Sequence, residues 1–319
     1  MTAHSSPSPS LRASELTIGL LTMFVAVLIS PVIDIFSKLA AVTVPPLEVT
    51  AVRFLLQLVF TVPVMVVRRN WGVWTLRHAG LHAMRGGVLM LSMICFVTTL
   101  QVMEVADAIA IFFVEPIILT ILSSVFLKET IGWRRYTACA VGFLGAMLII
   151  QPSFQAIGFV ALLPVVTAFC VAVYALLTRV VSHREDAWAM QFQTGLWGMF
   201  FCAILLWLGR GSGSPIFDSV VPSVRAVFYL IGVGATAAVS GILSVYAYRS
   251  APASTLAPIQ YFEIISATIF GWLIFDNFPD LMKWVGILII IASGLYILWR
   301  ERRFASKPVS DTSEAARAP

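Results

Sequence analysis

The chain has 319 residues, of which 59% are apolar and 12% charged, and it carries a formal net charge of +5. A soluble domain carries about 25% charged residues, so this chain cannot cover its own surface with polar groups, and most of it must face lipid. The basic excess sits in short links between apolar runs, which reads as membrane topology and not as a nucleic-acid footprint.

Residues 1–14 are rich in Ser and Pro and are expected to form a disordered tail. They do not read as a signal peptide, because the basic lead is weak and the apolar run behind it is too long and contains Asp34 and Lys38. Ten spans are then predicted, at about 16–41, 46–67, 84–103, 106–127, 134–151, 156–178, 187–208, 225–248, 252–275 and 281–299. Backbone groups in hydrocarbon need internal partners, and helices supply them. No run of ten-residue alternating strands suggests a β-barrel. Residues 300–319 open on Arg300, Arg302, Arg303 and Lys307 and form a second, cytoplasmic tail. With the N-terminus inside, 16 of the 21 Lys and Arg residues fall on the inner side, so the positive-inside rule puts both termini in the cytoplasm of a bacterial inner membrane.

Cys95, Cys139, Cys170 and Cys202 lie in four different runs without CxxC spacing, so neither a disulfide framework nor a zinc site is expected. His78 and His82 have the i, i+4 spacing of a zinc pair but no third ligand, and read as interface histidines in a basic loop. No metal and no cofactor is expected, and the absence of GxxxxGK[ST] removes P-loop chemistry.

The chain repeats itself at low resolution. Ala106-Asp-Ala108 opens a run that holds Glu115-Pro116 and ends at Leu127-Lys-Glu129, with Gly142 and Gly145 beyond it. Ala251-Pro-Ala253 opens a run that holds Tyr261-Phe-Glu263 and ends at Phe275-Asp276, followed by Gly286 and Ser293-Gly294. Each half, 16–151 and 156–299, has five spans. An odd number turns the second copy upside down, an arrangement typical of secondary transporters with a site near the midplane.

Residues 106–152, from ADAIAIFFVEP to LGAMLIIQP, resemble the first signature of the EamA family in the drug/metabolite transporter superfamily. Residues 257–301, APIQYFEIISATIFGWLIFDNFPD onward, are similar to its second copy, with Asp276 where the family often has Glu. The resemblance implies ten helices in two inverted five-helix halves around a central cavity. It also implies alternating-access transport of a small organic metabolite such as an amino acid, a vitamin or a nucleotide-like cofactor. It fixes neither substrate nor direction. The competing readings are an integral-membrane enzyme, which would gather His and carboxylates at one membrane face, and a channel for a small apolar or zwitterionic solute.

Ionisable groups within a span are costly and are functional candidates by default. Glu115 and Glu263 lie about 13 and 16 Å into their spans at 1.5 Å per residue, near the midplane, where they are placed to bind a cationic group or carry a coupling proton. The alternative for each is a structural hydrogen bond to a neighbouring helix. Asp34 and Lys38 on the first span, with Glu48 and Arg53 on the second, read either as a compensated ion-pair cluster or as a place where Lys38 or Arg53 meets a substrate anion. Tyr261, in the same turn as Glu263, is the best-placed aromatic candidate for a cavity wall. Expected partners are the lipid bilayer and a small-molecule substrate, with no nucleic acid. Monomer and homodimer both remain open.

Overall fold

The computed structural model describes residues 9–69, 76–127, 133–182, 185–250, 259, 262–276 and 280–305. These residues form α-helices and their links, with no strand among them. The helices are α1 Pro9–Ala41, α2 Pro46–Arg68, α3 Leu76–Leu100, α4 Val105–Phe112, α5 Glu115–Leu127 and α6 Trp133–Ile157. After a 3-10 segment, Gly158–Leu162, come α7 Leu163–Ser182, α8 Ala187–Leu208, α9 Val224–Ser250, α10 Phe262–Phe275 and α11 Leu281–Ala305. Helix α1 begins inside the stretch read from composition as a tail, and α11 runs beyond the expected boundary at 299.

Local chemistry sets several of these limits. Pro46 starts α2, where a missing N–H costs nothing. Asp186 caps α8 by accepting from the Trp188 amide at 3.1 Å, and the Asp280 carboxylate does the same for Lys283 N at 2.8 Å on α11. Asp276 ends α10 in a left-handed conformation (φ 56°), which Asp tolerates better than most residues.

Two expectations are corrected. The fourth span is not one helix, because the chain turns at Phe113–Val114 between α4 and α5. Pro116 has no N–H to return to the Phe112 carbonyl, so the ladder is interrupted there. The third helix begins at Leu76 and not near residue 84, so Arg77, His78 and His82 are helical and not part of a loop. Their polarity suggested a loop, but His82 is wholly buried, as is Arg85 one turn on, among partners from distant parts of the chain.

Among the described residues, six helical stretches are long and apolar enough to cross a membrane. They are Thr17–Ala41, Pro46–Arg68, His78–Leu100, Phe154–Thr178, Ala187–Leu208 and Val224–Ala247, and Phe262–Phe275 and Leu281–Ser293 are shorter apolar helices. The outward faces are greasy: Leu21, Val59, Phe228, Leu273 and Leu288 are exposed, while Glu115, Asp107, Arg85 and Gln193 are buried. That inversion of the usual polarity fits lipid as the solvent.

Helix α1 packs mainly along α9, α2 against α8 and α9, α3 against α7 and α8, and α6 against α11. Small residues permit the closest approaches. A Cβ on Gly198 of α8 would stand 2.6 Å from the Phe54 ring of α2, and one on Gly145 of α6 would stand 3.0 Å from the Gly286 carbonyl of α11. The largest apolar cluster joins Leu100, Ile109, Ile111 and Ile117 to Ile264, Ile287 and Ile290, so residues far apart in sequence share one core.

Candidate functional site

Four of the six candidate residues come together inside the bundle. Ser30 Oγ on α1 donates to Glu263 Oε1 on α10 at 2.6 Å. Asp34, one turn along α1, lies within electrostatic range of both Glu263 and Arg53. Glu115, 8% exposed in the first turn of α5, is in range of Glu263. Arg53 of α2 is in range of Asp34, of Tyr174 on α7 and of Cys202 on α8. One constellation thus holds three carboxylates and a guanidinium, drawn from α1, α2, α5 and α10.

The charges are not paired off. Among the described residues, buried Nε and Nη1 of Arg53 have no hydrogen-bond partner. Its guanidinium lies 5.4 Å from the Phe54 ring. A buried guanidinium with free donors has binding capacity left over for an anion.

Asp34 and Arg53 lie within electrostatic range, as their matched depths suggest, but the expected pairing of Lys38 with Glu48 is replaced by other contacts. Lys38 Nζ donates to the Met103 carbonyl at 2.6 Å and stands 5.1 Å from the Phe275 ring centre. Glu48 Oε2 instead accepts from the Val220 amide at 3.0 Å. The reason is packing: α1 lies along α9 and only grazes α2. Lys38 therefore sits apart from Arg53, near a second cluster in which Lys283 Nζ reaches Asp107 at 2.6 Å and Glu104 at 3.4 Å. Tyr261 lies outside the described residues.

Sequence reasoning missed Ser30, although its i, i+4 spacing from Asp34 on one helix face was a usable signal. It also misread His82, which is a buried member of a third cluster. His82 Nε2 lies 3.0 Å from Glu185 Oε2, and its Nδ1 lies 3.1 Å from Arg85 Nη1. Arg85 Nε donates to Thr178 Oγ1 at 3.1 Å, and Nη2 reaches the Tyr174 hydroxyl at 3.4 Å. At the opposite end of the bundle a cleft of about 370 Å³ opens between residues 41–45, Gln101 and residues 213–220.

Apolar helices around a charged interior define a polytopic membrane protein that can hold a polar solute away from lipid. The chain belongs to the EamA-like transporter family, whose profile matches residues 17–151 and again 158–299. It is similar to a riboflavin transporter of Brucella anthropi, at 26% identity over 80% of this chain and 88% of that one. An S-adenosylmethionine uptake transporter of Rickettsia bellii is 25% identical over 92% and 97% of the two chains. A riboflavin transporter of Rhizobium johnstonii is 29% identical over 71% and 72%. A crystal structure with a TM-score of 0.62 and 14% identity covers 90% of this chain and 99% of its own, and shares the fold. The protein is a multi-pass bacterial membrane transporter of a small metabolite, not an enzyme.

Proposed function

We propose that the protein is a secondary active transporter that carries a zwitterionic or cation-bearing heteroaromatic metabolite by alternating access. In this reading two inverted five-helix halves, 16–151 and 156–299, make ten spans with both termini in the cytoplasm. They rock around a site formed by Glu115, Glu263, Asp34 and Arg53. The observation that carries the reading is the Arg53 guanidinium, whose Nε and Nη1 lack hydrogen-bond partners among the described residues, in range of Asp34, which in turn is in range of Glu263 and, through it, of Glu115, so that both halves contribute. The carboxylates suit a cationic group and would exchange a coupling proton, and Arg53 suits a carboxylate on the same solute. Tyr174 would line one side of the ring system. The riboflavin and S-adenosylmethionine carriers among the relatives support a flat heterocycle as the cargo class.

The test is uptake into proteoliposomes of purified protein, with radiolabelled S-adenosylmethionine and riboflavin offered separately with and without an imposed proton gradient. Saturable, gradient-dependent accumulation of either is expected, and competition by the other ranks the class. Non-saturable flux of both would indicate a channel and refute the reading.

A further inference from the structure

We infer that Arg85, His82 and Glu185 form the latch of the gate at the arginine-rich end of the bundle, which must break each time the central site opens to that side. The inference rests on the alternating-access reading above.

The chemistry of the three groups fixes how they are joined. A guanidinium has only donors, so the Nδ1 of His82, 3.1 Å from Arg85 Nη1, must accept. The imidazole is then the neutral tautomer with its proton on Nε2, and that proton is donated to Glu185 at 3.0 Å. One positive and one negative group are thereby bridged by a neutral ring, so the cluster balances its charge without water. That balance is needed, because the side chains of His82 and Glu185 are 0% exposed and Arg85 is 1% exposed.

The position is what makes this network a gate. His82 and Arg85 lie on α3, within the first stretch that the family profile matches. Glu185, Thr178 and Tyr174 lie in the second. Every bond but the one between His82 and Arg85 therefore crosses from one half to the other. A weaker strut runs beside it, from Arg68 at the end of α2 to Asp186 at 3.8 Å and to the Trp188 ring. Tyr174 adds a link inward, since it meets Arg85 through its hydroxyl and ring and is also in electrostatic range of Arg53. A solute that engages Arg53 would thus act on the residue that touches the latch. The far end of the bundle, by contrast, holds the open cleft. Buried ion networks contribute little net stability but cost heavily when half broken, which gives a closed state that releases in one step.

The experiment measures gate opening directly. Spin labels are placed in a cysteine-free background at Val67 and Val180, which are 83% and 50% exposed on α2 and α7 at this end. Distance distributions are recorded by pulsed dipolar spectroscopy on the full chain in nanodiscs. Arg85→Ala is expected to raise the ratio of long to short distances about tenfold. Glu185→Gln, which keeps shape and hydrogen bonding, should shift it in the same direction by less, and it carries the test if Arg85→Ala does not fold. Two populations in wild type that neither variant alters would overturn the latch and leave alternating access standing. A single population in wild type and all variants would overturn both.

Discussion

Gly86 is the contact on which the packing of the two halves can be tested most sharply. It lies on α3 and faces α8. A Cβ built on it would stand 2.6 Å from Trp197 Cβ, 2.8 Å from the Gly198 nitrogen and 3.0 Å from the Trp197 carbonyl carbon. Ordinary carbon contacts begin near about 3.5 Å, so Gly86→Ala intrudes by roughly 0.5–1 Å on atoms that include backbone and cannot rotate away. The helices must separate, because turning the Trp197 side chain moves neither its Cβ nor the backbone. Overpacking of this kind costs about 1–3 kcal/mol. Gly80 is the internal control, because it lies on the same helix with nothing within 4 Å of its would-be Cβ. Gly80→Ala should be neutral or stabilise by up to about 1 kcal/mol, since it removes backbone freedom only. Thermal unfolding of both variants in one detergent, followed by tryptophan fluorescence, measures the difference. Equal melting temperatures for Gly86→Ala and Gly80→Ala would refute the close α3–α8 contact.

Other outcomes follow from the same geometry. Lys283→Ala leaves the Asp107 carboxylate, 5% exposed, without its 2.6 Å partner. It should cost about 3 kcal/mol, with Lys283→Met/Asp107→Asn milder than the single change in the same melts. Arg53→Leu removes a guanidinium with two unpartnered nitrogens, so its stability should hold to within about 1 kcal/mol of wild type while KM for uptake rises more than about tenfold. A cysteine at Ser212 or Ser214 should react with an impermeant reagent from outside intact cells, as the lysine and arginine distribution requires; labelling only from the cytoplasm would reverse the orientation.

How much was legible in the sequence depended on whether the relevant contacts were local. The limits of α8 were readable to the residue, because Asp186 caps its start and Gly209 follows its end. The break between α4 and α5 had a visible cause in Pro116, yet a continuous apolar run hid it, since lipid-facing segments stay apolar through an interruption. The start of α3 was misplaced because His78 and His82 look like loop residues until Glu185, about a hundred positions away, is brought beside His82. The meeting of Glu115 and Glu263 could be anticipated from equal depth in two copies of one pattern. The separation of Lys38 from Arg53 could not, because it depends on α1 choosing α9 over α2. That choice is made by tertiary contacts such as Ser240 Oγ to the Ala26 carbonyl at 3.1 Å.

The central claim is that Glu263 serves transport and not only the fold. Ser30 donates to its Oε1 at 2.6 Å, and in Glu263→Gln the amide oxygen can accept the same bond at nearly the same shape. The variant should therefore fold, melt close to wild type, and lose uptake by at least about tenfold because an amide cannot ionise or neutralise a cation. Initial uptake rates across a pH series, normalised to folded protein in the same proteoliposomes, test this most directly. Loss of rate together with a flattened pH profile is the predicted result, and wild-type rates with a wild-type profile in a well-folded Glu263→Gln protein would contradict it.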